Sequence, residues 1–343
     1  MNYPFDVKDV RISDPCILAD PKTHKYYTYA SVFNPERYPS MKHATGFYAI
    51  CSEDLIHWSD PIRVFDKDET GFWGDRDYWA PEAHIWQGKY YLISSFRTAG
   101  SLRRCQCLVA DEPTGPFRPV RKEPVTPEGW QCLDGTLFAD TDGKPWMIFC
   151  HEWLQVGDGQ IAAIPLSEDL GTAVGKPEIL FRASDAPWAA PFFDRKTGGG
   201  GWVTDGPFLY RLKSGTLIML WSNFTTAGYA TGVARSLSGT LHGPWLQERN
   251  PLYFLDGAHS MLFRTFEGQL MMALHCPNVH QLKRMLLFTM EETENSIVIV
   301  NEITGNWYNH ASGPAKGYLY EEPYRDVRGL FKAVAVPETS AAL

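Results

Sequence analysis

Five stretches of this chain set an ionisable side chain beside a turn-forming residue. They are Ser13-Asp14-Pro15, Ala80-Pro81-Glu82, Leu133-Asp134-Gly135, Thr204-Asp205-Gly206-Pro207 and Gly257-Ala258-His259. Taken singly each is an ordinary turn, since Asp before Pro or Gly caps or starts one. Turn-formers have no reason to recur at one register of a repeat, and these recur. Brought together they would make a site of four carboxylates and one imidazole. Such a set suits acid–base cleavage of a glycosidic bond. One carboxylate stays ionised to activate water, while another stays protonated and gives its proton to the leaving oxygen. Crowding supplies the difference, because a like charge nearby raises one pKa and a cation lowers it. A third carboxylate can tune and orient the acid.

The elements that must position these residues form a repeat. Each anchor opens a short strand, a turn follows, and a strand rich in aromatic and apolar residues returns. The second unit reads Ala80–Trp86, turn Gln87-Gly88, then Lys89–Phe96. The third reads Gly135–Ala139, turn Asp142-Gly143, then Pro145–His151. The fourth is Pro207–Arg211 with Thr216–Ser222, and the fifth Ser260–Thr265 with Gln269–His275. The first is less regular, Cys16–Ala19 and then Lys25–Ala30. Glycine turns between β-rich runs are hairpin signals. Gly46–Ser52, Arg104–Ala110, Gln160–Pro165 and Gly228–Ser236 fit third strands. The anchors lie 52 to 71 residues apart, about one four-stranded propeller blade each. The chain is therefore read as all-β, a five-bladed β-propeller with its site at one mouth of the central axis. A β-sandwich would not repeat the same opening and closing signals five times. Residues 185–201 and 65–78 read as long loops near that mouth.

Geometry then selects further candidates. The inner strand of each blade starts at the mouth, so its neighbour ends there. His151-Glu152-Trp153, Ser222-Asn223 and His275 are expected to rim the same pocket. Trp79 and Glu82 are expected to wall a sugar subsite and bond a hydroxyl, with Trp153 as a rim platform and His275 beside it. Twelve tryptophans and sixteen tyrosines suit sugar stacking, although most belong in blade cores.

Composition narrows the class. A net charge of −8 over 343 residues, with no Lys/Arg run, excludes a nucleic-acid footprint. No apolar run nears the roughly 20 residues needed to span a bilayer. Met1–Val10 lacks the apolar stretch of a signal peptide. With seven scattered cysteines, an odd number, this predicts reduced thiols and a cytoplasmic location; a trimmed secreted chain would look the same. Cys105 and Cys107 share one strand face and are read as packing, since a metal needs more ligands. The whole chain, 1–343, is expected to form one catalytic domain. Its segment from about 305, with Trp307, Tyr308, Tyr318 and Tyr320, would either close the ring or make a dimer contact, and the oligomeric state stays open.

The sequence resembles glycoside hydrolase family 43, the five-bladed propeller enzymes of arabinan and xylan breakdown. The resemblance covers roughly residues 8–300. It rests on Asp77-Tyr78-Trp79-Ala80-Pro81-Glu82 running to Gly88-Lys89-Tyr90-Tyr91-Leu92, on Ser13-Asp14-Pro15, on Leu133-Asp134-Gly135 and on Ser52–Trp58. The resemblance implies an inverting single displacement, with Asp14 as general base and Asp134 tuning the acid. The family's acid is a Glu; here Asp205 holds that slot, and Glu152, longer but one strand further out, is the runner-up. His259 matches an axial histidine that helps hold a central ion or water. No cofactor is required, with Ca²⁺ or another ion an option near His259. The expected activity is exo-acting removal of a terminal furanose or pyranose from an oligosaccharide or glycoside. The candidates are α-L-arabinofuranosidase and β-xylosidase, with galactofuranosidase beside them. A non-catalytic sugar-binding propeller is the alternative, motivated by Asp205. A phosphorylase ranks last, because it needs clustered cations at the axis.

Overall fold

The structure is a computed structural model that describes residues 2–43, 45–193, 199–279 and 282–304. Strands form where the sequence packs β-branched and aromatic residues between glycine turns. In blade two, Trp86 pairs with Lys89 across Gln87-Gly88. Both turn residues have positive φ, 48° and 77°, the requirement of a type I′ hairpin. The second strands are mostly apolar, and their burial does not alternate. Lys89–Arg97 is buried without interruption from Tyr90 to Phe96, and Leu270–Cys276 along its whole length. Such runs belong to strands covered on both faces, and here the covers are the neighbouring blades.

Five blade sheets result, each built from consecutive strands, with a separate two-stranded sheet beside them. Blade one runs from Ile17–Asp20 through Lys25–Ala30 to Gly46–Ser52, with His57–Trp58 and Ile62–Asp66 both paired to the last and Phe5–Asp6 on His57–Trp58. Blade two holds Arg76–Trp86, Lys89–Arg97, Arg104–Ala110 and Arg118–Pro119. Blade three holds Cys132–Ala139, Pro145–His151, Gln160–Pro165 and Glu178–Arg182. Blade four holds Asp205–Arg211, Leu217–Thr225, Gly228–Ser236 and Trp245–Gln247. Blade five holds Ala258–Arg264, Leu270–Cys276, Arg284–Glu292 and Ile297–Glu302. The first strand of each blade touches the first strand of the next all the way round, so five inner strands line one axis. The core lies in the clefts between blades, with Trp58, Trp221, Tyr29 and Phe149 wholly buried in it.

Among the described residues, blades one and five meet through packing and scattered hydrogen bonds. No described strand of the N-terminus pairs into blade five. Met285 N–H donates to Val10 O at 3.2 Å, Phe266 N–H donates to Tyr26 Oη at 3.1 Å, and the rings of His24 and Phe266 stack at 4.0 Å. The expected closing segment, from 305 onward, lies outside the described residues.

One loop expectation is corrected. Residues 65–78 are not a loop: they hold the end of Ile62–Asp66, a one-turn helix Lys67–Thr70 and the start of Arg76–Trp86. Phe72 and Tyr78 pack with Phe65 and Phe96, so apolar content won over the turn signals. Within 185–201 the two-residue strands Phe192–Phe193 and Gly200–Gly201 pair with each other and Ala190 bridges to Phe224, and residues 194–198 lie outside the described set. All seven cysteines are buried and none is in a disulfide. Among the described residues no helix is long and apolar enough to cross a membrane.

Candidate active site

At the mouth the inner strands of blades two to five each begin with a slip in register. The slips fall between Trp79 and Glu82, Leu133 and Thr136, Asp205 and Phe208, and Ala258 and Met261. Inside each, one residue is left-handed: Ala80 (φ 45°), Asp134 (54°), Gly206 (48°) and His259 (55°), with Asp14 (52°) ahead of blade one. These are the equivalent positions around the ring. Asp and His tolerate positive φ better than most side chains, yet it costs about 1–2 kcal/mol each.

The sequence reading set Asp205 and Glu82 at this register, and the structure moves both. Asp205 stands one residue before the left-handed position, level with Trp79, Leu133 and Ala258. Glu82 stands two residues after it, level with Thr136 and Met261, one layer down the channel. There it accepts a hydrogen bond from Thr136 Oγ1 and pairs with His84 Nε2 at 2.8 Å. It does not line the mouth. A bulge adds a residue to one strand only, and such an addition is invisible to spacing counted along the chain.

Each left-handed carboxylate or imidazole has its amide tied to the preceding blade. Asp134 N–H donates to Ser95 Oγ (3.0 Å) and His259 N–H to Ser222 Oγ (2.9 Å). Asp14 N–H lies 3.2 Å from His275 Nδ1. Ser95, Ser222 and His275 occupy equivalent places, opposite Trp79, Asp205 and Ala258. His275 therefore stands where two other blades use serine. Gly206 N–H donates to Asp134 Oδ2 (2.9 Å). A Cβ on Gly206 would sit 2.8 Å from the His259 ring, so glycine is what lets the imidazole reach the carboxylates.

Four ionisable groups converge here. His259 Nδ1 is 3.3 Å from Asp14 Oδ1 and 3.7 Å from Asp134 Oδ2. His275 Nδ1 is 3.0 Å from the same Asp14 oxygen. Burial alone would raise the Asp14 pKa, but the charges of His259 and Lys283 and the bond to His275 outweigh it, holding this carboxyl far below the usual range. Asp205 goes the other way. Burial and the neighbouring Asp134 charge push it up to about 7, against a hydrogen bond from Tyr229 Oη at 2.8 Å. Asp134 is also raised, by burial and by Asp14, with His259 opposing. Asp134 and Asp205 titrate as a pair. Burial opposes the His259 charge, and the surrounding carboxylates overcome it and raise its pKa. At neutral pH one mouth thus presents an ionised Asp14 and a proton shared near Asp205.

Glu152 sits apart from this set. Its Oε2 accepts from Arg103 Nη1 (2.6 Å) and Gln131 Nε2 (2.7 Å). Arg103 also holds Asp77 Oδ2 at 2.9 Å, and its guanidinium lies 3.9 Å from the Trp79 ring centroid. Arg103 is only 3 % exposed, whereas Trp79 is 45 % exposed. The cation backs the indole and leaves its other face to the cleft. Replacing Arg103 with Met is expected to lower stability by about 3–5 kcal/mol, because the buried Glu152 is left without its cation, whereas Asp77 keeps Arg97. Urea unfolding checks this, and a loss below about 1 kcal/mol would show that water and Gln131 satisfy Glu152 instead.

A cavity of about 1140 Å³ opens over these residues. One wall is aromatic in sequence: Trp153 against Phe192 (6.0 Å), Phe192 against Phe224 (4.7 Å), Phe224 against Tyr229 (5.0 Å) and Tyr229 against His275 (5.8 Å). Of the expected rim residues, Glu152, Trp153 and His275 line the cavity, while His151, Ser222 and Asn223 do not. His151 stacks on Trp130 at 4.1 Å. His275 is fully buried, so the side chain expected to bind sugar contacts Asp14 and Asn278. Sequence reasoning missed Tyr229, Arg103 and Lys283. The start of each third strand also lies at the mouth, and Arg103 and Tyr229 flank two such starts.

Calcium takes six to eight oxygen ligands. His259 offers a nitrogen directed at two carboxylates, and among the described residues no three His, Cys, Asp or Glu side chains are grouped to hold a metal. These side chains alone do not make a calcium cage.

The family model for glycosyl hydrolases family 43 matches residues 6–309. The chain belongs to that family. The fold agrees with a solved structure described as an endo-arabinase from Bacteroides thetaiotaomicron VPI-5482. The two are 40 % identical with a TM-score of 0.79, over 86 % of this chain and 100 % of that one. A xylosidase/arabinosidase 43A from Humicola insolens is 30 % identical over 140 residues, which is 41 % of this chain and 36 % of that protein. A beta-xylosidase from Bacillus subtilis (strain 168) is 25 % identical over 213 residues, 59 % of this chain and 36 % of that protein. The matches thus span about a third of these curated relatives' length. Within family 43, this chain carries Asp205 at the slot where the resemblance leads one to expect Glu, and Tyr229 Oη reaches it.

Proposed function

We propose that the protein hydrolyses glycosidic bonds by a single inverting displacement. In this reading Asp14 is the general base, Asp205 the general acid, and Asp134 the carboxylate that tunes the acid. One observation carries it: a carboxylate gripped by two imidazoles faces the same cleft as a carboxyl kept protonated by burial and a neighbouring charge. Water placed against Asp14 loses its proton as it attacks the anomeric carbon. The leaving oxygen takes the proton of Asp205. Glu152 serves the arginine network that backs Trp79.

The substrate is an arabinofuranosyl or xylosyl glycoside, taken from the names of the relatives, with Trp79 and Trp153 as stacking faces. Exo action follows from the aromatic wall to which Phe192 contributes. Endo action is the second reading, favoured by the 40 %-identical endo-arabinase. A panel of p-nitrophenyl α-L-arabinofuranoside, β-D-xyloside and β-D-galactofuranoside, with linear arabinan beside it, tests both. Release of single sugars supports exo action; oligosaccharides from arabinan alone support endo action. Silence on the panel and on natural oligosaccharides would leave a sugar-binding propeller. Release that requires phosphate would indicate a phosphorylase.

A further inference from the structure

Asp14 and Asp205 belong to blades one and four, and blade five lies between them in the ring. A chain of contacts crosses that gap. Asp205 Oδ2 accepts from Tyr229 Oη at 2.8 Å, the Tyr229 ring lies 5.8 Å from the His275 ring at 25°, and His275 Nδ1 meets Asp14 at 3.0 Å. His275 is anchored behind by Asn278 Oδ1, 3.2 Å from Nε2. Both residues between the carboxyls are buried: Tyr229 is 3 % and His275 0 % exposed.

We propose that Tyr229 and His275 are positioning residues that act as a spacer, fixing the separation of Asp14 and Asp205 and adapting the mouth to the short side chain of the acid. This rests on the hydrolytic reading above. An inverting pair needs room for one water between its carboxyls, and two stacked rings hold that room more firmly than backbone alone. Tyr229 also decides which oxygen of Asp205 carries the proton. Its hydroxyl donates to Oδ2, so the carboxyl proton sits on Oδ1 and is free for the leaving group.

Two variants separate the parts. Tyr229→Phe keeps the ring and removes the donor. It should lower kcat on a natural linkage roughly three- to tenfold, the worth of one hydrogen bond, with little change on a p-nitrophenyl glycoside. The loss of activity at alkaline pH should move upward, because the lost bond favoured the ionised carboxylate. His275→Ser installs the residue that blades two and four use, so the Asp14 amide keeps an acceptor and the fold is expected to hold. It should lower kcat by about 10²-fold on both substrates, the effect of misplacing the base by about 1 Å, with KM less affected. Rescue of His275→Ser by added imidazole is not expected, since position is what is lost.

A readout besides turnover is the titration of the Asp205 carboxyl by carbon NMR, which should shift upward in Tyr229→Phe. Wild-type activity with unchanged kcat and pH profile in both variants would overturn the spacer while leaving the hydrolytic reading intact. A wild type inactive on every glycoside, with the NMR shift present, would overturn the hydrolytic reading alone. An unshifted Asp205 titration in Tyr229→Phe would overturn the spacer whatever the activity.

Discussion

Asp14→Asn is expected to cut kcat by about 10²–10⁴-fold on every substrate, whatever its leaving group. The amide cannot take a proton from water, and the loss falls on the attacking side of the reaction, which an activated aglycone does not relieve. The fold should survive. Asn accepts the left-handed φ of 52° as readily as Asp, and the amide contact to His275 remains. The change also removes the charge that raises Asp134 and His259, so both should titrate lower in the variant. Kinetics on p-nitrophenyl and unactivated glycosides, with a thermal melt alongside, measure this. Near wild-type turnover would end the base assignment.

Asp205→Asn is expected to behave differently. On a natural linkage the loss should again reach about 10²–10⁴-fold. On a p-nitrophenyl glycoside it should be far smaller, since nitrophenolate departs without protonation. The pH profile gives an independent test. In the wild type kcat/KM should fall as pH rises through about 7, as the Asp134–Asp205 pair loses the proton the leaving oxygen needs. Below that pH Asp14 remains ionised, because its pKa is depressed. In Asp205→Asn the fall near 7 should vanish. Glu152→Gln is the control: it loosens the Arg103 network and should slow both substrates to a similar degree. A leaving-group dependence seen in Glu152→Gln and absent from Asp205→Asn would exchange the two roles.

Much of this was legible in the chain because blades are local. Lys25–Ala30, Gly46–Ser52, Arg104–Ala110, Pro145–His151, Gln160–Pro165 and Gly228–Ser236 stand in the structure with the bounds that turn residues and apolar runs imply. Asp14, Asp134 and His259 were legible because residues tolerant of positive φ open their strands. Glu82 and Asp205 were misplaced because a bulge shifts register without a mark of its own. Ala80 and Gly206, small and apolar or bare, occupy the positions assigned to them. Arg103 and Tyr229 were missed because they stand at the starts of third strands, two strands out from the axis, where the anchor spacing leaves no mark.

The seam between the first and last blades has a consequence for how the molecule comes into being. Asp14 and His275 are 261 residues apart and meet only where blade five abuts blade one. Every blade is a run of consecutive residues, so four of them can mature while the fifth is still being synthesised. Until it docks, Asp14, the carboxylate proposed to activate water, lacks both of its imidazoles, and the channel has an open side. The complete cluster is therefore a late property of the chain, acquired in one step when blade five meets blade one.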